Sequence, residues 1–324
     1  MRPPAWHEIR AVAVTDPRTG QRLLLVVQKD VTAKVEAERH IAQVAEAEHR
    51  LLEQVFPRHV LSYMSERSFE EQQQHLQLQL QQPPASGRGS AVTVAAPWRP
   101  QVRDCTHLAT WHRRVTVLFA DIQGFTPMCG QLPATVVMRF LNDLFVRFDA
   151  QLDSHEVYKV ETIGDCYVVA GGLVHEDADG MAAVRASGEE DTQQGARVFA
   201  FAQAMLRSAS DVMLPTTGEP VRIRVGIHIG PVVSGVVGTR MPRFCLFGDT
   251  INTASRMEST GVPGCVHASK EAYDVLRHQG QRGWAPTGGV EIKGKGIMDT
   301  HLWTPPSPAE SCAGLDSSRS PGGC

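Results

Sequence analysis

Two aspartates in this 324-residue chain stand where apolar strands run out. Asp121 closes the run VTVLFAD, and Asp165 sits in the turn of VYKVETIGDCYVV. A carboxylate in either place can be a turn or cap residue only. If the two strands are neighbours, both carboxylates converge at one sheet edge. Hard oxygen ligands with open positions then suit Mg²⁺ or Mn²⁺ bridging a phosphate, and not zinc. Asn252 and Arg256 lie four apart in INTASR, so both project from one face of a helix. Such a pair is ordinarily solvated, yet a guanidinium so placed can bridge phosphate oxygens in a fixed geometry. No Ser-His-Asp or Cys-His constellation accompanies these residues, and none is required for chemistry at phosphorus.

The elements that must carry these residues alternate between short β-branched runs and helical patterns. Val115 to Ala120 reads as a buried strand, and Ala134 to Leu152 as a helix. That helix sets Val137, Phe140, Leu141, Leu144, Phe145 and Phe148 on one face. Val157 to Val160 and Cys166 to Ala170 bracket Gly164-Asp165 as a hairpin. Gly195 to Met213 is a second helix, Val221 to Ile229 another strand, and Thr250 to Met257 a third helix. This is an α+β pattern with helices covering one sheet. The acidic stretch 175–194 shows no periodicity and reads as a surface insertion.

Five segments follow along the chain. Within 1–32, Ile9 to Val14 and Leu23 to Val27 flank Asp16-Pro17-Arg18-Thr19-Gly20, which is turn chemistry, so a β-hairpin is expected. Across 33–70 a helix is expected, capped by Asp30 or Thr32. Its Ile41, Val44, Glu48, Leu51 and Val55 make a short coiled-coil seam with one polar interruption; an amphipathic helix packed on its own domain is the other reading. The glutamine-rich and then Pro/Ser/Gly-rich stretch 71–111 reads as a flexible linker. The ordered domain is expected over 112–304, with a disordered tail over 305–324.

Composition narrows the functional classes. A hydrophobic fraction of 42% and a charged fraction of 21% are those of a globular protein. The formal charge of -3 predicts no general attraction to nucleic acid or anionic membrane, so any polyanion must be held by a few placed cations. No apolar run approaches the roughly 18 residues that span a bilayer, and MRPPAWHEIR lacks the apolar core of a secretory signal. The seven scattered cysteines show no CxxC pairing, which fits reduced thiols and a cytoplasmic location.

FADIQGFT, KVETIGDCYVV, VGIHIGPVVSGVVGTRMPRFCLFGDTINTASRMES and EIKGKG stand in the order and spacing of class III adenylyl and guanylyl cyclase catalytic domains. The resemblance spans nearly all of 115–303. It implies a ferredoxin-like sheet flanked by helices, paired head to tail with the active site between two domains. The hairpin and the charged helix after it resemble the last strands of a PAS domain and its signalling helix. A full domain of ordinary size needs roughly 100 residues, so only a remnant is expected.

By motif position, Asp121 and Asp165 match the family's metal-binding aspartates, with the Ile122 carbonyl as a further ligand for two divalent ions, Mg²⁺ or Mn²⁺. Asn252 and Arg256 match residues that orient the ribose and stabilise charge on the α-phosphate. Lys293, in the IKGKG strand, and Arg240 match cations that hold the terminal phosphates, with Lys295 a rival to Lys293. Glu161 stands where adenylyl cyclases carry lysine and guanylyl cyclases glutamate. Cys245 replaces an aspartate or threonine of adenylyl enzymes.

A carboxylate accepts both N1–H and the 2-amino group of guanine and repels adenine N1, while a thiol donates weakly to O6. One unmatched buried polar group costs about 1–3 kcal/mol, enough to set the substrate. The expected reaction is therefore GTP to cyclic GMP and pyrophosphate. An adenylyl cyclase and a catalytically silent dimerisation module are the alternatives. The resemblance puts the aspartates and Arg240 on one domain and Glu161, Cys245, Asn252, Arg256 and Lys293 on its partner. One chain with both sets implies a homodimer with two equivalent sites.

Overall fold

The computed structural model describes residues 5–15, 17–64, 105–178, 180–238 and 241–306. They fall into two compact units divided between Phe56 and Pro57. In the first, β1 (His7–Thr15) and β2 (Arg22–Asp30) pair antiparallel, with His7 opposite Asp30 and Thr15 opposite Arg22. Gly20 in the connecting turn takes a left-handed φ of 71°, a conformation that costs glycine little. Helix α1 (Thr32–Glu53) follows at once. Neither expected residue caps it: the N-cap is Val31, without a side-chain cap, while Asp30 Oδ1 accepts the Thr32 amide at 2.9 Å and the Thr32 hydroxyl accepts from the Trp6 amide. The seam residues Ile41, Val44, Leu51 and Val55 are all exposed on α1 and the turn after it.

The helix expected across 33–70 is shorter than that. It ends at Glu53, and a separate helix, α2, covers 58–64 in the second unit. Pro57 explains the break, since it donates no amide and its ring clashes with the carbonyl four residues back. The rest of 33–70, most of the 71–111 linker and nearly all of the 305–324 tail lie outside the described residues. The linker's last residues are ordered, because a strand begins at Thr110.

The second unit opens with β3 (Thr110–Ile122), short α3 (Phe125–Cys129) and α4 (Ala134–Asp149). β4 (Tyr158–Ile163) and β5 (Cys166–Gly171) form the expected hairpin. The acidic stretch is not the structureless insertion expected: β6 (Val174–Glu176) and β7 (Ala182–Val184) pair within it. Its Asp191 then binds Arg197 of α5 (Gln194–Ser210) at 2.8 Å. β8 (Ile223–Val237) runs eight residues beyond the expected Ile229 and pairs with β9 (Arg243–Phe247). α6 (Asp249–Ser259), β10 (Val266–Ser269) and α7 (Lys270–His278) come next. The short strands β11 (Trp284–Pro286), β12 (Val290–Ile292), β13 (Gly296–Met298) and β14 (Thr300–Trp303) finish the unit.

The strand order is β11-β14-β10-β8-β3-β5-β4, with β9 also on β8. Within it, β3, α4, β4, β5, α5 and β8 make a split β-α-β repeat whose strands lie β8-β3-β5-β4, all antiparallel. That is the ferredoxin-like α+β arrangement expected. One face of the sheet buries Leu118, Val169, Val225 and Ile227 against Phe140, Leu144 and Phe148 of α4 and Val198, Phe201 and Met205 of α5. Spacings of three and four on both helices produce that stripe.

The alternate residues of β8 meet α6 instead. Gly226 is decisive there, because a Cβ on it would lie 2.0 Å from the Glu258 amide nitrogen. Gly230 does the same service under Thr250, whose Oγ1 would be 2.5 Å from an added Cβ. Among the described residues, no helix is long and apolar enough to cross a membrane.

Candidate active site

β3 and β5 are adjacent, so the end of β3 and the β4–β5 turn meet at one sheet edge, as the two aspartates require. Gly164 permits the tight turn at φ 64°. Asp121 and Asp165, both half-buried, lie within hydrogen-bonding reach of each other. Burial, then the Asp121 carboxylate, pushes the Asp165 carboxyl up to about 7, against the pull of the Asp165 and Ile122 amides that donate to it. Ile122 thus touches Asp165 through its N–H. Cys166, beside them, is pushed up to about 12 by burial and the nearby carboxylates Glu258, Asp121 and Asp165, which keeps the thiol neutral.

Two neighbours of this corner were not legible in the sequence. Arg224 stands directly opposite Asp121 in the β3–β8 register. Its Nη2 donates to Asp121 Oδ2 at 2.5 Å and its Nε to Glu258 Oε1 at 2.9 Å. Glu258, from α6, is buried. The only signal was an arginine inside the apolar run of VRIRVGIHIG. The described residues contain no group of three or more His, Cys, Asp or Glu side chains able to hold a metal. Two close carboxylates do suit a hard divalent ion that completes its shell with water and phosphate oxygens.

Glu161 and Cys245 come together from different strands, β4 and β9. Cys245 is half-buried, and burial, then Glu161, raises its thiol pKa. Arg243 Nη1 sits 3.9 Å from Glu161 Oε2, a third member that sequence reasoning missed. The rings of Tyr158 and Phe244 meet edge-on at 6.0 Å, and His59 of α2 meets Phe244 at 6.3 Å, so β9 is fixed against β4 and α2.

Asn252 and Arg256 share one face of α6, Asn252 exposed and Arg256 half-buried. Neither side chain has a hydrogen bond or ion pair among the described residues. Lys293 is not in a strand: β12 ends at Ile292, and Lys293 lies exposed in the β12–β13 turn. Its rival Lys295 is paired with Asp249 at the start of α6. Arg240 lies outside the described residues. Among the described residues, no hydrogen bond or ion pair joins Asp121 or Asp165 to Glu161, Cys245, Asn252, Arg256 or Lys293. The described residues thus hold an Asp121–Asp165 corner and a Glu161–Cys245 pair with no direct bond between them.

Residues 109–304 match the family model of the adenylate and guanylate cyclase catalytic domain. The rat protein named guanylate cyclase soluble subunit beta-2 is 47% identical over 187 residues, 58% of this chain and 25% of that protein. The rat guanylate cyclase 2D is 45% identical over 194 residues, 59% of this chain and 16% of that protein. The chain therefore spans a quarter or less of the length of these relatives. A crystal structure of the guanylate cyclase domain of RhGC from Catenaria anguillulae, in complex with GTP, superposes with a TM-score of 0.52 at 36% identity. It covers 60% of this chain and 98% of that one.

Proposed function

The chain belongs to the adenylate and guanylate cyclase catalytic domain family, and on that premise we propose that it converts GTP to cyclic GMP and pyrophosphate. The observation that carries GTP over ATP is the meeting of Glu161 with Cys245. Glu161 accepts from N1–H and the 2-amino group of guanine, and the neutral Cys245 thiol donates to O6. Adenine would turn a lone pair on N1 toward the carboxylate and leave it unmatched.

Asp121, Asp165 and the Ile122 carbonyl would hold the divalent ions. Bound there, Mg²⁺ or Mn²⁺ supplies Lewis acidity that acidifies the ribose 3′-hydroxyl and neutralises charge on the departing pyrophosphate. Arg256 spreads its fork across the α-phosphate oxygens as charge builds on them, and Asn252 orients the ribose. Lys293, with Arg240, holds the terminal phosphates. Lys295 can contribute only by leaving Asp249.

The lack of a direct bond, among the described residues, from either aspartate to Glu161, Cys245, Asn252 or Arg256 supports a homodimer with composite sites, in which the aspartates of one chain face those residues of the other. Because neither Asn252 nor Arg256 has a side-chain partner among the described residues, both are available to a substrate held by a second chain. The β1–β2 hairpin and α1 supply a PAS-like remnant and a signalling helix, and the exposed seam Ile41, Val44, Leu51 and Val55 brings two chains together in parallel. We assign the reaction to the cytoplasm, in keeping with cysteines that form no disulfide among the described residues.

The test is to incubate purified protein with GTP or ATP, and Mg²⁺ or Mn²⁺, and to identify the cyclic product by mass. Cyclic GMP predominating, and disappearing in Asp165→Ala, supports the reading. Cyclic AMP predominating overturns the base assignment, and no product from a folded dimer overturns catalysis.

A further inference from the structure

Arg224 stands on the face of β8 that meets α6. Ile223, Val225 and Ile227 point the other way, into the core. Three features of the fold bring a fork to that spot. The antiparallel register sets Arg224 directly across from Asp121, so the two side chains leave the same face of the sheet. The missing side chain of Gly226 lets the α6 backbone at Met257 and Glu258 lie against β8. Glu258, its side chain only 9% exposed, then reaches Arg224 from above. A carboxylate buried that far needs a cation, and Arg224 is the one it has.

We propose that Arg224 is the positioning residue of the metal site, holding one oxygen of Asp121 while Glu258 holds Arg224. This rests on the reading of Asp121 as a metal ligand. Arg224 holds Asp121 Oδ2, which leaves Oδ1 as the oxygen that would ligate an ion. The planar guanidinium satisfies both carboxylates at once through two different nitrogens, at 2.5 and 2.9 Å. A lysine ammonium keeps the charge but is a point donor on a flexible stem. The same bridge ties Asp121 to α6, the helix that carries Asn252 and Arg256.

The sign of one substitution separates positioning from charge. Loss of a nearby cation, taken alone, tightens a dication site by Coulomb's law. Loss of a group that orients a ligand typically weakens metal affinity about 10–100-fold. The experiment titrates Mn²⁺ against the dimer saturated with α,β-methylene-GTP, which cannot be cyclised, and follows binding by thermal stabilisation. Mn²⁺ dependence of cyclic GMP synthesis is measured alongside.

Arg224→Gln is expected to weaken Mn²⁺ binding at least about tenfold, with Arg224→Lys recovering only part of it. Glu258→Gln, which can still accept from Arg224, should stay within about threefold of wild type, and Glu258→Ala should approach Arg224→Gln. Unchanged or tighter Mn²⁺ binding in folded Arg224→Gln overturns the proposal. If that variant does not fold, unchanged Mn²⁺ binding in Glu258→Ala overturns it instead. A wild-type protein that binds no Mn²⁺ with the analogue overturns the metal-site reading itself, and the proposal with it.

Discussion

At the scale of single residues, the proposed base choice reduces to two side chains from β4 and β9, strands that do not pair with each other. Exchanging Glu161→Lys together with Cys245→Asp reverses the donor and acceptor pattern that meets the base. The double variant is expected to use ATP better and GTP worse, each by about tenfold or more, on the footing that an unmatched buried polar group costs about 1–3 kcal/mol. Competing-substrate rates read by product mass check this, and a variant with unimproved ATP use would remove both residues from specificity. Glu161, Cys245, Asp121 and Asp165 were legible because each sits in a motif of fixed spacing. Arg243, Arg224 and Glu258 were not, since each acts through a cross-strand or helix-to-strand contact that has no fixed sequence separation. Arg224 meets Asp121 from 103 positions away.

At the scale of elements, the approach of α6 to β8 is what places the Asn252–Arg256 face and Glu258. It depends on one absent methyl group. Gly226→Ala puts a Cβ 2.0 Å from the Glu258 amide nitrogen, a main-chain clash that only displacement of the helix relieves. The cost is expected near the upper end of overpacking, about 3 kcal/mol, lowering Tm by roughly 6–12 °C. Cyclase activity should fall further than stability accounts for, because the helix that carries Arg256 moves. Thermal melts beside activity at a temperature where the variant stays folded separate the two effects.

Helix α4 and the β4–β5 hairpin were legible from apolar periodicity and turn chemistry, which are local. The β6–β7 hairpin was not, because its three-residue strands are too short to show alternation. The turn at Lys293 was hidden too, since Ile-Lys-Gly-Lys-Gly reads equally as strand or turn until β12 and β13 pair.

At the scale of the whole molecule, the proposed homodimer sets the aspartates of one chain against Glu161, Cys245, Asn252 and Arg256 of the other. Asp165→Ala and Arg256→Ala should each be inactive alone, since each damages both sites of its own homodimer. Mixed and allowed to exchange, they should recover about a quarter of wild-type activity, because half the dimers are mixed and each of those keeps one intact site of two. Absence of recovery despite demonstrated exchange would sink the composite site.

The sequence by itself carried the candidates for the chemistry, two carboxylates for a divalent ion and two residues for guanine, together with an α+β order of strands and helices. These follow from residue type and local spacing, which the chain carries without folding. Only the tertiary structure decided that Asp121 and Asp165 touch, that Glu161 lies near Cys245, and that Arg224 bridges Asp121 and Glu258. Those pairings come from sheet register and helix packing, and both are set by the whole core's burial, not by any one segment.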